Sequence, residues 1–320
     1  MRHPLALCTM VAVSSLTAFT DDWVIPENAK LEELWNEGDF TEGVAVRSDG
    51  MVFFSDILRD PAKPGQILQF NPENGTTVVF SKDSGKSNGL YFTPDGRLLA
   101  CCGANGGAMA LCEITKDGTV KPLVEKYQGK RLNAPNDLVV HPNGSVYFSD
   151  PRYIGPEPIE LDHQSVYRYD LKTGALSRVT TDIEKPNGVH TSPDGRTLYV
   201  AETNNGSQGR PNEVPKQGRM TLNAFPLRSG GSLGPKKVLV DFGDQLGTDG
   251  MTIAPNGNIF AAVRSEKRFG IVVYSPKGKE LAWLKTPALP TNCCFGVGKE
   301  NHTLYVTAGT GLYRVNLQAK

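Results

Sequence analysis

The sequence predicts an all-β protein: a six-bladed β-propeller with four antiparallel strands per blade, the last blade closed by an N-terminal strand. Three observations predict it. A hairpin pattern recurs six times along the chain. Further alternating runs fill the intervals between the repeats. The last repeat runs out of chain one strand short, while an unclaimed strand stands just ahead of the first. A period of roughly 40–50 residues carrying four strands marks a propeller. Six similar units without distinct capping ends favour a closed ring over an open solenoid.

The elements follow in order. The six inner hairpins are TEGVAVRSDGMVFFSD from Thr41, SNGLYFTPDGRLLACC from Ser87, PNDLVVHPNGSVYFSD from Pro135, PNGVHTSPDGRTLYVAE from Pro186, TDGMTIAPNGNIFAAV from Thr248 and TNCCFGVGKENHTLYVTA from Thr291. Their starts are 46, 48, 51, 62 and 43 residues apart. Five turn on Asp-Gly or Asn-Gly, strong hairpin signals because both residues tolerate positive φ. The sixth turns on Lys299 to His302. Between them lie the outer pairs, such as Ile67–Phe70 with Thr76–Phe80 and Val166–Leu171 with Leu176–Thr180. The sixth unit has Cys293–Val297, Leu304–Thr307 and Leu312–Leu317 and then ends, so Leu31–Trp35 is expected to supply its fourth strand.

Residues 1–20 read as a signal peptide. Arg2 and His3 precede the apolar stretch Leu5–Leu16, and small residues follow. That stretch is too short to span a bilayer. Residues 21–320 then form one propeller domain, exported to a periplasmic or extracellular location. Five cysteines remain there: Cys101, Cys102, Cys112, Cys293 and Cys294. Cys101 or Cys102 could pair with Cys112 across a hairpin, but the odd number favours five small buried hydrophobes. The 34 basic and 34 acidic residues balance, so bulk charge gives no grip on nucleic acid.

The second residue of each repeat carries the chemistry. Glu42, Asn88, Asn136, Asn187, Asp249 and Asn292 each enter an innermost strand. Six such strands surround the axis, so six oxygen-bearing side chains converge at one end. A turn role explains any one of them, yet it would admit Ser, Thr or Gly at some positions. Carboxylate and amide oxygens without His or Cys suit a hard divalent cation, Ca²⁺ first, with Mg²⁺, Mn²⁺ or Zn²⁺ as alternatives. Connections between second and third strands rim the same mouth: Asp56–Gly65, Gly103–Ala108, Pro151–Gln164, Asn204–Gly218 and Arg264–Gly270. They make Arg152, Tyr153 and Arg264 candidate substrate contacts. Asn204–Gly218 has the composition of a mobile lid.

These stretches resemble the SMP-30/gluconolactonase/luciferin-regenerating enzyme family. The resemblance rests on FTEGVAV, GKRLNAPNDLVVHPNGSVYFSDPRY, ELDHQSVYRYD, KPNGVHTSPDGRTLYVAE, TDGMTI and TNCCFG, from Phe40 to Gly296. It implies metal ligation by Glu42, Asn136, Asn187 and Asp249, with Asn88 and Asn292 lining the substrate pocket. It implies that Asp249 is also the general base, or the nucleophile as in phosphotriesterase-like members. CCGANGG after the second inner hairpin departs from the family, where a His or paired basic residues are common, and this bears on the substrate.

The expected function is metal-dependent hydrolysis of a sugar or aldonic-acid lactone, a gluconolactonase-like activity. The cation would polarise the ester carbonyl and Asp249 would activate water. The alternatives are a hydrolase of another ester, such as a phosphotriester, and a non-catalytic ligand-binding propeller. Metal-dependent turnover separates the last from the others, and a lactone panel separates the first two. GGSLG at Gly230–Gly234 fits a nucleophile-elbow pattern but sits in a polar hairpin, where no strand-to-helix elbow forms.

Overall fold

The computed structural model describes residues 23–210 and 212–317. The expected signal peptide at 1–20 lies outside them. Six four-stranded antiparallel sheets form the blades. Blade 1 is Thr41–Val46, Val52–Asp56, Gln66–Asn71 and Thr76–Ser81. Blade 2 begins at Ser87–Phe92, blade 3 at Leu138–Val140, blade 4 at Pro186–Thr191, blade 5 at Thr248–Ile253 and blade 6 at Pro290–Phe295. Each blade's innermost strand touches those of the blades before and after it, and blade 6 returns to blade 1. The ring is closed.

Closure follows the expected route. Glu32–Trp35 pairs antiparallel with Gly311–Asn316 as the outermost strand of blade 6, with Glu32 opposite Arg314. The Arg314 guanidinium donates to both oxygens of Glu32, at 2.7 and 3.2 Å. The ring is thus latched by residues from the two ends of the described chain.

The inner hairpins turn as their sequences require, with one refinement. Only the glycine of each Asp-Gly or Asn-Gly pair takes positive φ: Gly50, Gly96, Gly144, Gly195 and Gly257. Its N–H closes onto the carbonyl three residues earlier, as from Gly50 to Arg47 at 2.8 Å. In the sixth repeat Gly298–Glu300 forms a 3₁₀ turn instead. No helix among the described residues is long and apolar enough to cross a membrane.

The core lies between the blades. The alternating faces of second and third strands bury side chains such as Phe53, Leu99, Tyr147, Val200 and Phe260 against neighbouring blades. The cysteines belong to this packing. Cys101, Cys102, Cys112 and Cys293 are buried free thiols and Cys294 is half-buried. Cys102 lies opposite Ala110 and Cys112 opposite Ala100, and the two thiols meet on the diagonal as free, hydrogen-bonded groups. The hairpin disulfide is not formed. Gly230–Gly234 lies in the connection between the two outer strands of blade 4, as its polarity predicts.

Candidate active site

Five of the six inner-strand residues meet in one cavity. Glu42, Asn88, Asn136, Asn187 and Asp249 line a space of about 350 Å³ at one end of the axis. Local backbone puts them there. In blades 1, 2, 4 and 5 the pairing register breaks at or just after this residue, between Glu42 and Ala45, Ser87 and Leu90, Pro186 and Val189, and Thr248 and Met251. A bulge re-aims a side chain, here toward the axis. The following residue must then be small. A Cβ on Gly43 would stand 2.0 Å from the Asn88 carbonyl oxygen, and one on Gly250 would stand 2.2 Å from the Asn292 amide.

A second set of residues fixes the approach to each inner strand. Asp56 and Asp150 end the second strands of blades 1 and 3, Glu202 is the last residue but one of that of blade 4, and all three are buried. One oxygen of Asp56 accepts the N–H groups of Asp39 and Phe40, at 2.9 and 3.0 Å. Asp150 accepts those of Asn133 and Ala134, at 2.9 and 2.8 Å. Glu202 accepts that of Glu184 at 2.7 Å. Each carboxylate thus holds the chain two or three residues ahead of Glu42, Asn136 and Asn187. The sequence carries this signal in the acidic endings of FFSD, YFSD and VAE.

The floor is electrostatically tense. Glu42 is 3% exposed and Asp249 4%. Burial lifts the Glu42 carboxyl well above the usual glutamate range, and the negative Asp249 lifts it further. Burial also raises Asp249, opposed by the Arg264 guanidinium, whose Nη1 lies 2.5 Å from its Oδ2. The Asn187 amide reaches the Asp249 carboxylate and the Tyr153 hydroxyl, opposing the burial-driven rise at both.

Tyr153 and Arg264 line the cavity, and Arg152 and Asn292 do not. Arg152 is 1% exposed, turned into the protein. Its guanidinium donates to the carbonyls of Asn133 at 2.7 Å, Glu157 at 2.7 Å and Gly155 at 3.4 Å. It braces the Pro151–Gln164 connection. Asn292 lines the space at the opposite end of the axis. Its register break falls one residue earlier than in blades 2, 4 and 5, between Pro290 and Asn292. Its amide oxygen accepts the Cys293 N–H at 2.8 Å, and the amide also bonds Asp137.

Several residues of this end were not visible as candidates. Phe40, Lys86, Pro135 and Leu246 line the cavity from segments just ahead of inner strands, not from the rim loops. Asp137 stands in blade 3 where blades 1, 2, 4 and 5 have glycine. Its Oδ2 accepts the Val189 N–H at 3.0 Å, and burial lifts its carboxyl to about 7. The row Gly43, Gly89, Asp137, Gly188, Gly250, Cys293, offset by one from the functional row, displays this exception. Lys185 secures the base of the Asn204–Gly218 loop, donating to Asn205 Oδ1 at 2.9 Å and to the Ser207 carbonyl. Its Nζ also lies 4.5 Å from the centre of the Tyr153 ring.

The donor set fits a hard divalent cation. Two crowded carboxylates, one without a cationic partner of its own, face a cavity shared with three amides. The side-chain amides of Asn88 and Asn136 make no hydrogen bond to the described protein. No group of three or more His, Cys, Asp or Glu forms a metal cluster among the described residues, so any cation here would take amide oxygens as well.

A family model described as the SMP-30/gluconolactonase/LRE-like region matches residues 40–310. A gluconolactonase of Zymomonas mobilis is 28% identical over 95% of this chain and 86% of its own length. Lactonohydrolase oryL of Aspergillus oryzae is 27% identical over 65% of this chain and 49% of its own. The solved structure of a Xanthomonas campestris gluconolactonase has a TM-score of 0.77 at 29% identity, covering 91% of this chain and 90% of that one. With a matching propeller and a match across most of its length, the chain belongs to the SMP-30/gluconolactonase/LRE-like family.

Proposed function

We propose that this chain is a lactonase, a hydrolase that opens a lactone ring to the hydroxy acid with Asp249 as general base. One observation carries the reading. A buried carboxylate, countered by Arg264 and touched by Asn187, lies on the floor of a cavity beside a second carboxylate and unpartnered amides. The gluconolactonase relatives support the same reaction class.

Glu42, Asn136, Asn187 and Asp249 are the residues that would hold a divalent cation, Ca²⁺ before Mg²⁺, Mn²⁺ or Zn²⁺. Such a cation, when bound, supplies Lewis-acid polarisation of the lactone carbonyl. The chain supplies the proton chemistry. Ionised Asp249 takes a proton from water as the water oxygen bonds to the carbonyl carbon. It returns that proton to the ring oxygen as the acyl C–O bond breaks. Arg264 opposes the tendency of burial to neutralise Asp249 and so favours the ionised form that acts as the base. Asn187, held against Tyr153, orients the Asp249 carboxylate.

The test is proton release from δ-valerolactone and glucono-δ-lactone in weak buffer, corrected for spontaneous opening. It is run on chelated protein and after Ca²⁺ is returned. Turnover that vanishes with chelator and returns with cation supports the whole reading. Turnover indifferent to chelator sinks the cation's part, and no turnover of any lactone sinks the lactonase.

A further inference from the structure

The cavity has a polar floor and an apolar wall. Above the inner-strand residues the space is bounded by Phe40, Ile57, Ala104, Pro135, Ile154 and Leu246. They come from blades 1, 2, 3 and 5, four of the six. The polar side chains at this level are already engaged with the protein. Lys86 Nζ donates to the Leu58 carbonyl and, at 2.8 Å, to that of Asp60. Thr203 Oγ1 donates to the Thr248 carbonyl at 2.6 Å. Asn205 Oδ1 accepts Lys185 Nζ at 2.9 Å. The Arg59 guanidinium lies over the Phe40 ring, 5.1 Å from its centre, and pairs with Asp39.

Ile154 is the sharpest part of this wall. It is 50% exposed, a large apolar side chain left in the open. Its loop is not free to fold it away. The buried Arg152 guanidinium ties the Gly155 and Glu157 carbonyls, just after Ile154, to that of Asn133, and Glu157 Oε1 accepts the Gly106 N–H at 2.8 Å. A hydrophobic side chain braced in place at a mouth gains its burial from what enters.

We propose that the preferred substrate is a lactone bearing an apolar ring substituent, alkyl or aryl. The ring rests on the polar floor, and the substituent lies against Phe40, Ile57, Ile154 and Leu246. This rests on the lactonase reading and adds the substrate class to it. A hydroxylated substituent would bring its hydroxyls to a wall whose polar groups are engaged, and each unpartnered hydroxyl is penalised. An alkyl chain makes no such demand and gains by leaving water. A cavity of about 350 Å³ also exceeds what a bare lactone ring fills.

The experiment is a chain-length series on the full protein in Ca²⁺: δ-valerolactone, δ-octalactone and δ-decalactone, with glucono-δ-lactone beside them. The expected result is kcat/KM rising roughly two- to fourfold per methylene until the wall is filled, with δ-decalactone above glucono-δ-lactone. Ile154→Asn, at an exposed position that folding does not depend on, flattens the series. A flat series, or glucono-δ-lactone as the best substrate, overturns the proposal and leaves the lactonase standing. If no lactone turns over, the lactonase reading fails. Calorimetric binding of the non-hydrolysable lactams then decides the wall by itself. An alkyl lactam binding no tighter than unsubstituted δ-valerolactam overturns it, and tighter binding lost in Ile154→Asn supports it.

Discussion

Arg264 Nη1 lies 2.5 Å from Asp249 Oδ2, joining the end of the second strand of blade 5 to the start of its first. Both side chains line the cavity, and the pair sets the charge state of the proposed base. Removing the guanidinium leaves Asp249 buried without its counter-charge, so its pKa moves further up. The base works only when ionised. The acid limb of the kcat–pH profile is therefore expected to move to higher pH in Arg264→Gln, with a larger deficit at pH 6 than at pH 9. Arg264→Lys should restore part of the profile. A uniform loss at all pH values would instead mean that Arg264 only holds the fold.

Asp249→Asn tests the base itself. The amide keeps the shape of the carboxylate and an oxygen toward the floor, but it cannot take a proton from water. Loss of a general base costs about 10²- to 10⁴-fold in kcat. The expected result is a fall of that size with a far-ultraviolet circular dichroism spectrum unchanged from wild type. Full activity in this variant would remove Asp249 from the reaction.

The ring was legible in the sequence because each blade repeats one solution. Asp-Gly and Asn-Gly turns, alternating strands and the missing last strand are local signals with a single global consequence. Five floor residues were legible because the same position of the inner strand reaches the cavity in five of the six repeats. Asn292 was misplaced because its strand breaks register one residue earlier, and spacing alone does not reveal that. Arg152 was misread because a rim loop's sequence does not say which side chains turn inward. Its partners are backbone carbonyls, which any sequence offers. The apolar wall was hidden for a related reason, since Phe40, Pro135 and Leu246 stand ahead of inner strands, where a hydrophobic residue looks like core.

Glu42 gives a prediction in metal-free protein. Its folded pKa is raised, so protonated Glu42 favours the folded state. That contribution is present below its unfolded value of 4.5 and is lost as pH rises through the folded value. At neutral pH a neutral side chain should do better. Glu42→Gln is expected to raise the Tm of chelated protein at pH 7.5. Wild type should gain about 2.7 kcal/mol when Ca²⁺ is supplied at a hundred times its Kd, and the variant should lose most of that gain. Equal Ca²⁺ shifts in the two proteins, read by differential scanning calorimetry, would take Glu42 out of the cation site.

Tyr153 is expected to act through Asn187. Its hydroxyl donates to the Thr203 carbonyl at 2.9 Å and meets the Asn187 amide, while Lys185 covers its ring. Tyr153→Phe keeps the ring and its packing and frees the amide. The expected outcome is weaker Ca²⁺ binding by calorimetric titration, by about three- to tenfold for one lost neutral hydrogen bond. Tm in chelator should change little. A lower Tm with unchanged Ca²⁺ affinity would make the tyrosine a packing residue only.

Asp150 shows how the fold underneath the site responds to pH. Its two oxygens accept the Asn133 and Ala134 N–H groups, which set the entry to Asn136. Burial outweighs those bonds and lifts its carboxyl to about 7 in the folded protein. A raised carboxyl contributes stability that is whole below its unfolded value of 3.8 and is lost as pH climbs through about 7. Chelated wild type should therefore lose stability between pH 5 and pH 8, by up to about 1.4 kcal/mol per pH unit from this group. In Asp150→Asn that slope disappears. The amide offers one oxygen where two N–H groups need acceptors, so at pH 5 the variant should be less stable by about 1–3 kcal/mol. At pH 8 ionised Asp150 is itself penalised by burial, and the gap between the two proteins should narrow or reverse. Urea unfolding at the two pH values measures this directly. A gap that stays constant would mean that Asp150 is already ionised at pH 5, its two N–H bonds outweighing its burial.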